Sequence, residues 1–143
     1  MDPIEEFLWE NRRVFRAAGA VADEALKPLR LDAAGRALLE FLAREEEPIT
    51  LSELARKRAV SRQHIHQSLA RLRNPDWVER LPDPADARSV RLRLSAEGKR
   101  FWAQVRAVDR QILQRLARRL NSDELARATA TVRRVREALE AMR

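Results

Sequence analysis

The stretch between Val60 and Asn74 carries the most chemically specific pattern in the chain. Arg62, Gln63, His64, His66, Gln67 and Arg71 supply guanidinium, amide and imidazole groups, and no Asp or Glu interrupts them. On a helix turning about 100° per residue, Ser61, Ser68, Leu69 and Leu72 gather within about 60° of Ile65. Gln63, Gln67 and Ala70 then lie nearly opposite. Arg62 and His66 occupy one flank, His64 and Arg71 the other. An amide can pair with adenine N6 and N7, and a guanidinium with guanine O6 and N7, in the major groove of a duplex. The bland alternative is an ordinary solvated helix face. The lack of any carboxylate, which a phosphate backbone would repel, favours nucleic acid.

Candidate contacts flank this helix. Thr50 and Ser52 stand where a helix N-terminus can meet a phosphate. Thr50 is first a structural cap, because Thr50-Leu51-Ser52-Glu53 reads as a capping box. Ser61 caps the next helix. Further on, Arg91 and Arg93 alternate with Val90, Leu92 and Leu94 and so point away from the apolar face. Either could touch a backbone phosphate or remain a solvated arginine.

Other chemistries lack their residues. There is no Cys, which removes disulfides, thiolate catalysis and thiol redox sensing. His64 and His66 sit about 200° apart on a helix and cannot share a metal ion. Asp83 and Asp86 read as turn-shaping residues rather than metal ligands. With only 3 Gly, the chain has no GxGxxG or GxxxxGK[ST] string. No Ser/His/Asp set is visible, so neither an enzyme nor a cofactor is expected.

The elements needed to hold these groups follow from periodicity. Residues 3–27 read as a long helix, with Asp2 as N-cap, Pro3 at its first position and Pro28 as its stop. A terminal helix of that length has little of its own chain to cover its apolar stripe. A second helix, capped by Asp32, is expected over 33–46, with Ala34, Ala37, Leu38, Phe41 and Leu42 inward. The third spans about 51–58, burying Leu51, Leu54 and Ala55, and the fourth runs from Ser61 to about Arg73. Asn74-Pro75-Asp76 reads as a turn. Trp77–Leu81 and Val90–Leu94 alternate as strands around a polar loop, Pro82–Ser89. Two long helices, about 96–120 and 123–141, complete an order of α-α-α-α-β-β-α-α. Two short helices and a hairpin describe a winged helix-turn-helix.

Charge agrees with that placement. Residues 50–100 hold twelve of the 29 Lys/Arg but only six of the 22 Asp/Glu, as a polyanion-binding face would. No apolar run approaches the roughly 20 residues of a membrane span. The N-terminus lacks a signal-peptide pattern, so a cytoplasmic protein is expected.

Several strings together resemble one family. Leu51-Ser52-Glu53-Leu54-Ala55, Val60-Ser61-Arg62 and Leu69-Ala70-Arg71-Leu72 are similar to the helix-turn-helix of the MarR family (multiple antibiotic resistance regulators). Val78-Glu79-Arg80 with Asp83-Pro84-Ala85-Asp86-Ala87-Arg88 resembles its wing. Leu92–Gly98 resembles its last strand running into the following helix. The family usually has a Gly where Asn74–Trp77 stands, and a further wing Arg where Ala85 stands.

The resemblance implies a mainly α fold with a small β-hairpin wing. A winged lobe over 31–99 would lie between a dimerisation helix over 1–30 and dimerisation helices over 100–143. The implied function is a ligand-responsive repressor that binds a near-palindromic operator in double-stranded DNA as a homodimer. Thr50, Ser52, Ser61, Arg62, Gln63, His64, His66, Gln67, Arg71 and Arg91 would meet the duplex, with Arg88 at the wing tip in the minor groove. A small aromatic or amphipathic effector would lie among Phe15, Phe41, Phe101 and Trp102, although their spacing is that of core residues and core is the favoured reading. The alternative is a dimeric winged-helix adaptor without specific DNA binding.

Overall fold

The computed structural model describes residues 2–143. Helix α1, Pro3–Leu26, begins where Asp2 Oδ1 accepts the Ile4 N–H at 2.7 Å. A short 3-10 turn, Lys27–Leu29, holds Pro28 and leads through Arg30 to α2, Ala33–Ala43. Asp32 caps α2 by accepting the Gly35 N–H at 2.7 Å. The helix is three residues shorter than periodicity suggested, because the acidic run Glu45–Glu47 lies outside its last turn. Its buried row is Gly35, Leu38, Leu39 and Leu42, while Ala34, Ala37 and Phe41 are only half-buried.

Ile49–Thr50 forms a short strand, β1, which alternation over two residues could not reveal. Thr50 then caps α3, Leu51–Arg58, accepting the Glu53 N–H at 3.2 Å. Leu51, Leu54 and Ala55 are buried as expected. Ala59 ends α3 in the left-handed region at φ 53°. Its N–H and that of Val60 close on the Arg56 and Ala55 carbonyls at 3.1 and 3.0 Å. This is the turn of the helix-turn-helix, made with Ala where glycine is the unstrained choice.

Helix α4, Arg62–Ala70, starts at Ser61, whose Oγ accepts the His64 N–H at 3.0 Å. It stops at Ala70 rather than near Arg73. The Leu72 N–H turns back to Leu69 O at 3.3 Å, which tightens the exit and keeps Leu72 in the core. Asn74 caps a second 3-10 turn, Pro75–Trp77, by accepting the Asp76 N–H at 2.9 Å. Its φ of −124° asks for no glycine here. Trp77 therefore belongs to a turn, not to a strand.

Strands β2, Val78–Asp83, and β3, Asp86–Leu94, form an antiparallel hairpin, and β1 pairs with the other edge of β3. The sheet order is β1-β3-β2. Pairing is regular from Val78↔Leu94 to Pro82↔Val90, then slips, so that Asp83 faces Asp86. The long loop expected over 82–89 is thus reduced to Pro84-Ala85 at the tip. Residues 87–89 are taken up by the register shift.

Helix α5, Ala96–Ala117, is locked to the wing root. Ser95 N–H donates to Trp77 O at 2.9 Å, Ser95 Oγ donates to Asp76 O at 2.5 Å, and the same oxygen accepts the Gly98 N–H at 3.0 Å. A Cβ at Gly98 would stand 2.1 Å from Trp77 O. Trp77 and Phe101 stack at 3.8 Å and 8°. The core beneath joins Leu26, Leu38, Leu39, Leu54, Ile65, Leu92 and Val105.

Helix α6, Ser122–Glu140, is capped by Asn121 Oδ1, which accepts from Asp123 N and Glu124 N. By packing, the chain divides into residues 1–108 and 109–143. The first unit holds α1 to β3 and α5 up to Val108, and the second holds the rest of α5 and α6. Among the described residues, no helix is long and apolar enough to cross a membrane.

Candidate nucleic-acid interface

The face of α4 away from the core follows from one buried row. Ile65, Ser68 and Leu69 are at most 6 % exposed. Ser68 spends its hydroxyl inside the helix, donating to His64 O at 2.9 Å. With that side packed, Arg62, Gln63, His66 and Gln67 stand exposed on the other, and His64 is half-buried on the flank. None of these four exposed side chains has an ion pair or hydrogen bond within the described residues. Their donors and acceptors are open to water or to a partner.

Arg71, on the His64 flank, has an acidic partner. Its guanidinium bonds Asp32 Oδ2 at 2.9 Å and is drawn toward the start of α2. As the C-cap of α4, Arg71 keeps helical backbone at φ −89°, and its N–H still donates to Gln67 O at 3.1 Å.

Around α4, the sheet supplies a second set of groups. Thr50 and Arg91 are register partners across β1 and β3. Arg91 is half-buried, and its Nε has no hydrogen-bond partner. A buried guanidinium N–H without an acceptor is costly. Arg93 is less free, because its Nε bonds Glu79 Oε2 at 2.6 Å across the hairpin. Ser52 is exposed in the first turn of α3.

Arg88 is exposed on the wing, past the last regular pair. The wing aspartates shape the tip through backbone bonds. Asp83 Oδ1 accepts the Ala85 N–H at 3.0 Å, and Asp86 Oδ1 accepts the Arg88 N–H at 2.9 Å. These local turns hold the tip without an arginine at position 85.

The four aromatics assigned to an effector differ widely in burial. Phe15 is 82 % exposed on α1, whereas Phe101 is 5 % exposed and stacked in the core. Phe41 and Trp102 are half-buried, with the guanidinium groups of Arg58 and Arg36 at 5.6 and 5.9 Å from their rings. Burial also lowers the pKa of Arg58 from its ordinary value, and its Nη1 lacks a partner. Arg58 and Arg73 are cations the sequence reading passed over. A wheel shows which way a side chain points, not which ring lies beneath it.

Comparisons with known proteins agree with this geometry. Residues 31–98 match the model of a winged helix DNA-binding domain family. A search of the curated proteins returns no match. Among solved structures, apo wild-type MarR from E. coli is 27% identical, with 94% of this chain and 97% of that chain covered at a TM-score of 0.76. A MarR transcriptional regulator from Methanosarcina mazei superposes at 0.81 with 17% identity, covering 96% and 99%. MepR of S. aureus, in a structure described as a MepR–DNA complex, superposes at 0.78 with 17% identity, covering 91% and 96%. Residues 31–98 therefore match a winged helix DNA-binding domain family, and over nearly its whole length the chain is similar in fold to MarR from E. coli.

Proposed function

We infer that this chain is a ligand-responsive transcription repressor that binds a near-palindromic operator in double-stranded DNA as a homodimer. The observation that carries the reading is the solvent face of α4. Arg62, Gln63, His66 and Gln67 are exposed together, and no acidic residue lies between Val60 and Asn74. Gln63 and Gln67 are the base-reading candidates in the major groove. Thr50, Ser52, Ser61 and Arg91 supply phosphate contacts, and Arg88 reaches the adjacent minor groove. His64 on the flank contributes less, and Arg71 only when Asp32 releases it.

The homodimer is argued from unpartnered apolar surface. In the first unit, α1 exposes Ile4, Trp9, Val14, Phe15 and Val21; in the second, α5 and α6 expose Leu113, Leu116, Leu125, Val132 and Leu139. That much exposed apolar surface on regular helices marks an association face. Residues 1–30 and 100–143 are thereby assigned to dimerisation, around lobes formed by 31–99. Two lobes place their α4 helices on half-sites about one helical turn apart. A ligand that alters their spacing releases one of them.

The test titrates the protein onto duplex from its own upstream region and onto scrambled duplex, at about 50 and 200 mM salt. The expected result is at least ~10³-fold tighter binding to the specific site, with a salt slope equivalent to several phosphates. Equal weak binding to both duplexes, followed by no enrichment in a genomic-fragment selection, would leave a protein-binding adaptor instead.

A further inference from the structure

Where the end of α1, the start of α2 and the exit of α4 meet, the first unit has an open cleft of about 530 Å³. Its walls carry Lys27, Arg30, Arg71 and Arg73 against only Asp23 and Asp32, over apolar surface from Leu31, Ala33 and Leu72. None of the aromatic positions assigned to an effector contributes to it. We propose that this cleft binds a small phosphate monoester and couples its occupancy to the recognition helix through the Arg71–Asp32 ion pair.

The charge balance sets the ligand class. Beyond the Lys27–Glu24 and Arg71–Asp32 pairs, the walls hold Arg30 and Arg73 against Asp23 alone, an excess of one positive charge that favours an anion, and a phosphate monoester can engage both free guanidinium groups. Guanidinium forks fit phosphate oxygens in pairs. Ligand sites of about 300–1,000 Å³ hold small molecules, so there is room for the ester carbons against Leu31 and Leu72.

Two of the cations are available. The Arg30 side chain makes no hydrogen bond or ion pair, and its backbone is held at φ 52°, which a non-glycine residue adopts at a cost. Arg73 Cζ stands 4.9 Å from the Trp77 ring centroid and 5.7 Å from that of Phe101, and its N–H groups make no hydrogen bond or ion pair among the described residues. Lys27 and Arg71 already have carboxylates, at 2.6 Å from Glu24 and 2.9 Å from Asp32.

Asp32 is the point of coupling. Its Oδ1 caps α2 while its Oδ2 holds Arg71 at the exit of α4. A phosphate in the cleft competes with Oδ2 for Arg71, and drawing Arg71 inward unties the end of α4 from α2. Arg73 sits on the Trp77–Phe101 stack at the wing root, so one anion reaches both DNA-facing elements. The consequence at DNA rests on the reading above, whereas anion binding does not.

The experiment uses the intact protein without DNA, following tryptophan fluorescence and thermal midpoint against phenyl phosphate, inorganic phosphate and uncharged phenol. Phenyl phosphate is expected to bind saturably, inorganic phosphate more weakly, and phenol not at all. Arg30→Gly, which suits the left-handed backbone, should weaken phenyl phosphate at least about tenfold without lowering the midpoint of the free protein. Asp32→Asn keeps a capping oxygen but removes the competing charge, so it should tighten binding severalfold. A purely structural Asp32 predicts no tightening.

Equal responses to phenol and phenyl phosphate, or wild-type affinity in Arg30→Gly, would overturn the proposal. So would an Arg30→Gly protein that loses duplex affinity and salt slope when the wild type takes up no phenyl phosphate, because the cleft would then serve the DNA backbone. Since the ligand titration contains no duplex, its failure leaves the DNA-binding reading standing. Failure of operator binding equally leaves this test intact.

Discussion

Gln67 and Arg88 are both exposed, and the proposed function gives them different tasks. A side chain reading a base edge discriminates sequences, whereas one lying along the backbone or in a narrow minor groove mainly adds affinity. Gln67→Ala is therefore expected to lose about 1–3 kcal/mol of preference for operator over scrambled duplex, measured by competition titration. Arg88→Ala should weaken both duplexes and reduce the salt slope by about one phosphate. If Arg88→Ala changes only the preferred sequence, the wing reads bases. Arg58 illustrates the opposite economy, a half-buried cation over the Phe41 ring whose Nη1 has no hydrogen-bond partner. Its pKa is lowered by desolvation, so the charged form is disfavoured in the fold. The guanidinium stays protonated at any working pH, and the resulting cost does not vary with pH across that range. Arg58→Met keeps the stem against Phe41 and removes the unpartnered Nη1. It is expected to raise the thermal midpoint by about 2–4 °C per kcal/mol regained, by the same amount at pH 6 and pH 8.

Each recognition element is held by its ends. Ser61 starts α4, Leu72 tightens its exit and Asp32 ties that exit to α2. The helix-turn-helix corner depends on Ala59 at φ 53°. Ala59→Gly should stabilise by about 1 kcal/mol, since glycine adopts that region freely, and denaturant unfolding checks it. The wing root behaves in the reverse way. Gly98 stands against Trp77 O, where a Cβ would lie at 2.1 Å, and the atom in the way is backbone, not a flexible side chain. Gly98→Ala must push α5 off the root and break the Ser95 bonds, at about 3 kcal/mol or more. A Gly98→Ala midpoint equal to wild type would show that α5 docks otherwise.

At the level of the assembled protein, the large apolar residues left exposed on α1, α5 and α6 ask for a second copy. Phe15, 82 % exposed, is the most exposed of them in α1, and Leu116 is 48 % exposed in α5. The double variant Phe15→Glu/Leu116→Glu should sediment as a monomer and lose operator affinity, because each lobe then pays its binding entropy alone. A dimeric double variant would move the association face elsewhere. Charge is also arranged over the whole chain. Residues 1–49 hold seven Lys/Arg and eleven Asp/Glu, whereas residues 101–143 hold ten and five. The helical arms are thus not neutral around a basic lobe; the N-terminal part is acidic and the C-terminal part basic.

What the sequence alone determined was local: caps, helix starts, the buried row of α4 and the alternation of the hairpin. Asp2, Asp32, Thr50, Ser61 and Asn121 declare helix starts because an N-cap works through a hydrogen bond to a residue two or three positions away. Ile65, Ser68 and Leu69 declare the inner face because helical period needs nothing beyond the helix itself. Tertiary structure decided the rest. A two-residue strand such as β1 exists only because β3 lies beside it. The end of α4 depends on packing of Leu72 into a core built from distant residues. Arg71 faces Asp32, Arg73 rests on Trp77, and Phe101 stacks in the core instead of lining an effector site. All are contacts between residues far apart in the chain, and periodicity, which reports only neighbours, has no access to them.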